Sequence, residues 1–308
     1  MSTYINTIKD WCNIVFVNQN SNPLYCGGDL FIGSEKKQLT ELNTRDLSIT
    51  EIKSYAFYNY IPLEKVSLLN IATVGEKAFY NCKNLETIND TMSLTTIGKN
   101  AFEGCLKITK IFLPKATAIE ESVLKGCNAI GEITIPVWWS SDNADTLDFV
   151  GYLFDNSADK TNSNIPSALN KFTLCGTSTI SKLLFSDCSN IETIILNNVE
   201  FIEENAFSGC NRLKNLEITT PSLNYYTVDN IIFLKEGDNH AIIKYAAGKH
   251  ETEYVVPLII QRIAAGAFKD SQIKLVNFQD NTNMNISKTA FQDVPSVNFV
   301  YNFNRDDN

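Results

Sequence analysis

The side chains of this 308-residue chain that could do chemistry are few: eight cysteines, two histidines and scattered carboxylates. Five cysteines, Cys82, Cys105, Cys127, Cys188 and Cys210, share one context, an aromatic or Leu three residues earlier and a Leu or Ile three residues later. Such a set suggests disulfides or zinc. A zinc site wants a Cys-x-x-Cys pair, and the chain has none. A disulfide ladder needs an oxidising compartment and facing sulfurs. Equivalent side chains on stacked repeats point the same way, and three in a row cannot all pair, so buried thiols are expected.

The other candidates are thinner. His240 and His250 lie in "DNHAIIKYAAGKHE". They suit a ligand pair or a pH switch, but solvated loop residues are the expectation. Asp142, Asp145 and Asp148 in "SSDNADTLD" could hold Ca²⁺. Ala144 and Thr146 fall where alternate ligands belong and the central Gly is missing, so a solvated loop is expected. Glu120–Glu121 and Glu203–Glu204 recur in one position and read as a solvated face. Trp138 and Trp139 could anchor a sugar or a protein, or pack a loop onto the body. No Ser/His/Asp spacing and no glycine-rich phosphate loop occurs, so no catalytic residue, cofactor or metal is assigned. Asn89 and Asn285 fit the N-glycosylation pattern, which matters only in a secreted eukaryotic protein.

What positions these residues is a repeat. Phe57, Phe79 and Phe102 follow one another at 22 or 23 residues, as do Phe185 and Phe207, and Phe268 and Phe291. Leu124 and Phe154 fill the same slot. Five residues earlier stands an apolar residue each time: Ile52, Val74, Ile97, Ile119, Phe149, Ile180, Ile202, Ile263 and Ile286. Segments such as "ITKIFL" and "IETIIL" alternate in and out as a short strand does, and the Ile-to-Cys stretch reads as a short helical turn. One such unit cannot bury its apolar face alone, whereas stacked units share a continuous core. The fold class expected is α/β: a solenoid with short parallel strands on one face and short helical turns on the other.

The motif, in "TVGEKAFYNCKNLETI", "TIGKNAFEGCLKITKIFLP", "AIEESVLKGCNAIGEITIP" and "FIEENAFSGCNRLKNLEI", resembles the BspA-type leucine-rich repeat of bacterial and protist surface proteins. The resemblance covers roughly residues 49–300. It implies a leucine-rich repeat solenoid and, as members often are, an exported or surface-anchored protein active in adhesion. Residues 1–48 are expected as an N-terminal cap, with "CNIVFV" and "DLFIG" as strands of a hairpin. Insertions are expected at 137–168 and at 222–256, the second an inserted β-hairpin broken at "KEGDNH", and a frayed tail at 301–308.

A formal net charge of −9 without a Lys/Arg run argues against nucleic acid and anionic lipid, and no apolar stretch is long enough to insert in a membrane. The N-terminus lacks the layout of a signal peptide. The expected function is non-enzymatic protein binding or adhesion by a monomer, at the cell surface or secreted, with a protein partner from a host, matrix or cell surface. Two alternatives are an intracellular (cytoplasmic) scaffold or effector, and a carbohydrate-binding protein using the 137–168 excursion. The outward strand positions are the candidate partner-binding residues: Lys110, Phe112, Glu132, Thr134, Thr193, Ile195, Asn215 and Glu217, together with Trp138 and Trp139.

Overall fold

The computed structural model describes residues 2–136, 149–154, 165–176, 178–182, 184–220, 222–281 and 283–301. Trp138, Trp139, Asp142, Asp145 and Asp148 lie outside the described residues, as does the tail at 302–308. The chain forms two units, Met1–Leu169 and Asn170–Asn308. Each is a parallel-stranded solenoid of the leucine-rich repeat kind, mostly strand with few helices.

In the first unit, Glu41–Asn43, Lys65–Ser67 and Thr87–Asn89 pair in parallel, as do Lys110–Phe112 and Glu132–Pro136. A second side carries two-residue strands, Glu51–Ile52, Thr73–Val74, Thr96–Ile97 and Ala118–Ile119. Their second residues are the apolar positions five before each Phe, and all four are buried. In the second unit Lys171–Cys175, Thr193–Leu196 and Asn215–Ile218 pair in parallel, and Glu253–Val255, Leu275–Asn277 and Asn298–Val300 do likewise.

The turns expected on the third side are there, but they are not helices. Around Phe57, the N–H groups of Ala56, Tyr58 and Tyr60 donate three residues back, to Lys53, Tyr55 and Phe57. The N–H groups of Tyr55, Phe57 and Asn59 instead leave the coil and donate to Glu76, Ala78 and Tyr80 of the next, at 2.9, 2.7 and 2.7 Å. Lys77, Phe79 and Asn81 repeat this onto Lys99, Ala101 and Glu103. The alternation needs a left-handed residue two before and two after the Phe. Asn100 and Gly104 have φ of 58° and 76°, and Asn205 and Gly209 have 62° and 80°. Asn, Asp and Gly tolerate that region best, which is why Asn-Ala-Phe-x-Gly recurs. A Cβ on Gly209 would lie 2.7 Å from the Asp187 Cα of the preceding coil, so the close backbone approach demands glycine there as well.

Inside, aromatic rings stack from coil to coil. Phe57, Phe79 and Phe102 have centroids 5.4 Å apart at 2° and 1°. Phe185 and Phe207 stack at 5.8 Å, and Phe268 and Phe291 at 4.8 Å. The cysteines run beside them. The Sγ of Cys82, Cys105 and Cys127 donates to the Phe carbonyl one coil back, Phe57, Phe79 and Phe102, at 3.2, 3.2 and 3.1 Å, and that of Cys210 donates to Phe185 at 3.2 Å. These four are thiols, and burial pushes each of their pKa values up, Cys127 and Cys210 to about 12. A thiol-specific reagent is expected to modify the exposed Cys26 at once and these four only on unfolding, as read by peptide mapping. Labelling of Cys105 in the folded protein would contradict the ladder.

The cap differs from expectation in one strand. Asp29–Ile32 does form a hairpin, with Lys37–Gln38, and also pairs in parallel with Ser2–Ile5. "CNIVFV" is not a strand. Thr7 and Asp10 make a reciprocal capping box that starts a helix at Ile8–Cys12, and the following residues find no ladder, leaving Val15 and Val17 exposed. The cap supplies donors that a preceding coil would have given. The Trp11 indole donates to Ala56 O at 3.0 Å and Asn22 Nδ2 to the same carbonyl at 3.2 Å.

Within 222–256, Ile231–Glu236 and Asn239–Tyr245 form the antiparallel hairpin, turning at Gly237 (φ 68°). A further strand, Tyr225–Val228, precedes it through Asp229–Asn230, both left-handed as the tightest hairpin turn requires. Asn239–Tyr245 also pairs in parallel with Ile260–Ile263, and Tyr245 stacks on Phe268 in the slot Phe holds elsewhere.

Candidate protein-binding face

Strand alternation sends every second residue outward. In the first unit Ile111 and Ile133 are buried while Lys110 and Phe112 face solvent, Phe112 being 51% exposed. Register places Lys110 against Glu132 and Phe112 against Thr134. Lys110 Nζ and Glu132 Oε1 pair at 3.1 Å, so the coil-to-coil neighbours form a charged pair beside an uncovered ring. The Thr91 hydroxyl bonds the Phe112 carbonyl and fixes that strand end.

In the second unit Thr193 lies against Asn215 and Ile195 against Glu217. Asn215 Nδ2 donates to Thr193 Oγ1 at 3.1 Å. All four line one open cavity of about 560 Å³ with Lys171, Thr227, Asp229 and Asn230. The wall arises because the Tyr225–Val228 strand and its turn fold against the free edge of Asn215–Ile218. Asn230 Oδ1 accepts from Leu216 N–H at 3.1 Å and Thr227 Oγ1 from Ile218 N–H at 3.2 Å, so side chains close an edge that would otherwise offer unpaired donors.

Sequence reasoning thus found the floor of this groove and missed its wall. Lys171 belongs to the neighbouring strand and pairs with Thr193. Asp229 and Asn230 were detectable as a turn dipeptide between two alternating segments, though not as neighbours of residue 217. Of the eight described candidates, one set of four comes together in each unit.

The recurring glutamates lie on a solvated face and also tie coils together. Glu120 accepts from the Lys99 N–H one coil back at 2.8 Å, and Glu203 from Lys182 N–H at 2.9 Å. Exposed pairs run between coils, Glu41 with Lys65 at 2.8 Å and Glu192 with Arg212 at 2.8 Å and Lys214 at 3.3 Å. Lys214 and then Arg212 hold the Glu192 carboxyl below its usual value. Such exposed pairs set charge complementarity more than stability. His240 bonds the Tyr226 hydroxyl through Nδ1, and His250 is exposed. Among the described residues no group of three metal-ligating side chains forms, and no helix is long and apolar enough to cross a membrane.

A family model described as the BspA type leucine rich repeat region matches in six copies over residues 50–175, 150–237 and 244–302. No curated protein matches. Among solved structures, the chain is similar to a leucine rich cell surface protein from Faecalibacterium prausnitzii, at 23% identity over 82% of this chain and 65% of that one, with a TM-score of 0.43. It is similar to a leucine-rich repeat protein from Eubacterium ventriosum at 14% identity, covering 94% and 64%, TM-score 0.34. The pneumococcal vaccine antigen PcpA matches at 19% identity, covering 82% and 56%, TM-score 0.33. The chain therefore spans about two thirds of the length of the first two and 56% of the third.

Proposed function

The chain belongs to the BspA-type leucine-rich repeat family, and from that premise we propose that it is a non-enzymatic adhesion module that holds a protein partner on its strand face. One observation carries the reading: an apolar residue occupies an outward strand position among polar neighbours in each unit, Phe112 beside Lys110, Glu132 and Thr134 in the first and Ile195 beside Thr193, Asn215 and Glu217 in the second. Apolar anchors inside a polar, charged rim are the anatomy of a protein interface, and a solenoid presents them in rows. The partner belongs to a host, matrix or cell-surface protein class, and the module acts as a monomer outside the cell. Trp138 and Trp139 extend the anchor set in this proposal.

The test is a binding screen of the purified chain against extracellular-matrix and cell-surface proteins, followed by Phe112→Glu and Ile195→Lys on the partner found. Each is expected to weaken binding about tenfold or more, roughly 1.4 kcal/mol. Because both side chains stand outside the core, the melting temperature should hold. Unchanged affinity in both variants would overturn the strand-face assignment.

A second reading, an intracellular scaffold of the same fold, draws support from the unoxidised cysteines of the core. Those thiols are shielded by burial, so the state of exposed Cys26 in natively purified protein is the discriminating observation.

A further inference from the structure

One coil lacks its outer turn. The Asn239–Tyr245 strand leads through Ala246 and Ala247 without the paired left-handed residues that shape other coils. The neighbours on either side reach across the gap. Gly209 N–H donates to Asp270 Oδ2 at 3.2 Å and Lys269 Nζ to Ser208 Oγ at 2.9 Å, over 61 residues of sequence. Beneath them remains a cavity of about 180 Å³.

Lys244 lines that cavity. It stands immediately before the ring slot, where Ala56, Ala78, Ala101, Ala267 and Ala290 stand fully buried in other coils. It is itself only 4% exposed. Its ammonium finds two backbone carbonyls, Lys269 O at 3.2 Å and Gly266 O at 3.4 Å, and among the described residues no carboxylate in an ion pair. A buried charge without a counter-ion favours the neutral amine. Burial lowers the Lys244 pKa to about 8; Cys210 and Asp270 oppose this shift and Lys269 adds to it. The other cations at the cavity are engaged, Arg262 with Glu236 at 2.5 Å and Lys269 with Asp293 at 3.5 Å. Glu203 and Glu204 add negative charge to the wall, which disfavours an anionic ligand and suits a neutral one.

We propose that this cavity is a reactive site for a small neutral aldehyde or ketone, captured by Lys244 as a Schiff base. The Nζ lone pair forms a bond to the carbonyl carbon as the C=O π bond breaks. The oxygen takes up a proton to give a carbinolamine. Loss of that oxygen as water, with the two protons Nζ gives up, leaves the C=N bond. The amine and carbonyl compound are the only reactants, and the carboxylates of Glu203 and Glu204, which line the cavity, can take up and return the protons.

The experiment treats the full chain with propionaldehyde and cyanoborohydride at pH 7 and maps modified lysines by peptide mass over time. An ordinary lysine is about 0.04% free amine at pH 7 and one titrating near 8 about 10%. The weaker base is the weaker nucleophile, so Lys244 is expected to react about tenfold faster than exposed Lys65. Ala265→Phe fills the cavity from its wall without touching Lys244, and should bring the rate down to that of Lys65. Equal rates at Lys244 and Lys65 in the native protein would overturn the proposal. So would a Lys244 rate that Ala265→Phe leaves unchanged.

Discussion

Above about pH 9 the protein is expected to lose stability steeply and to unfold near pH 10–11, well before its exposed groups alone would unfold it. In the unfolded chain a cysteine releases its proton near 9.0, whereas burial holds Cys12, Cys127 and Cys210 protonated to about 12 and raises Cys82 and Cys105 as well. From 9 to 12 the unfolded state therefore binds fewer protons than the folded one, and stability falls as pH rises. Each thiol is worth about 1.4 kcal/mol per pH unit, so five approach roughly 7 kcal/mol per unit, against a total stability on the order of 5–15 kcal/mol. Lys244 works the other way. Its folded value of about 8 lies below the ordinary lysine value of 10.5, so the folded state sheds a proton first and gains stability between those values, offsetting one thiol. Tyr60, raised to about 12 by burial, adds to the loss above pH 10. With the exposed Cys26 and the half-buried Cys175 first blocked by alkylation, thiolate absorbance and far-UV circular dichroism should change together in an alkaline titration. Thiolate signal rising by pH 9.5 over intact secondary structure in that blocked protein would sink the ladder's burial.

The second large effect is Phe79→Ala. Its ring is fully buried and stacks on both sides, 5.4 Å from Phe57 and from Phe102. The loss should be about 3–5 kcal/mol from transfer and cavity, with stacking adding about 0.5–1.5 kcal/mol for each pair. Phe112→Ala, also a Phe in a repeat, should stay within about 0.5 kcal/mol because its ring is half in water. Because coils contact only their neighbours, the damage should appear first as faster amide exchange at Phe57 and Phe79, whose N–H groups bond Ala78 and Ala101. Urea unfolding with equal midpoints for the two variants would contradict the stacked core.

The comparison of these two phenylalanines shows what a sequence discloses here. Phe79 was legible as core because an apolar partner five residues before it and a cysteine three after it repeat with it. Phe112 was legible as outward because Ile111 beside it alternates. The turn geometry was harder to read. Ile, Ala and Phe at short spacing fit one face of a helical turn equally well, and only the pairing of Asn100 with Gly104, or Asn205 with Gly209, betrays the left-handed alternation. "CNIVFV" misled because a run of β-branched residues says nothing about whether a partner strand exists. The groove wall at Asp229 and Asn230 was hidden because its position depends on how a meander folds back on residue 217, a non-local fact. Lys244 was hidden because its coil lacks the outer turn: Ile242 pairs with Ile263, yet Tyr245 follows Ile242 by three residues where Phe268 follows Ile263 by five.

Among the described residues the backbone hydrogen bonds that the turns make to the next coil run one way, from Tyr55 to Glu76, Phe79 to Ala101, Ser122 to Tyr152 and Phe268 to Ala290. A coil with such a turn thus has an acceptor rim and a donor rim of one repeated geometry; the Asn239–Tyr245 coil, without its outer turn, is the exception. Length becomes a digital property: gene duplication can splice in a whole coil between two others and inherit every bond it needs. Among the described residues the acceptor rim at Ala56, plugged by Trp11 and Asn22, is closed to such growth, and that plug keeps the rim from recruiting another molecule's donors.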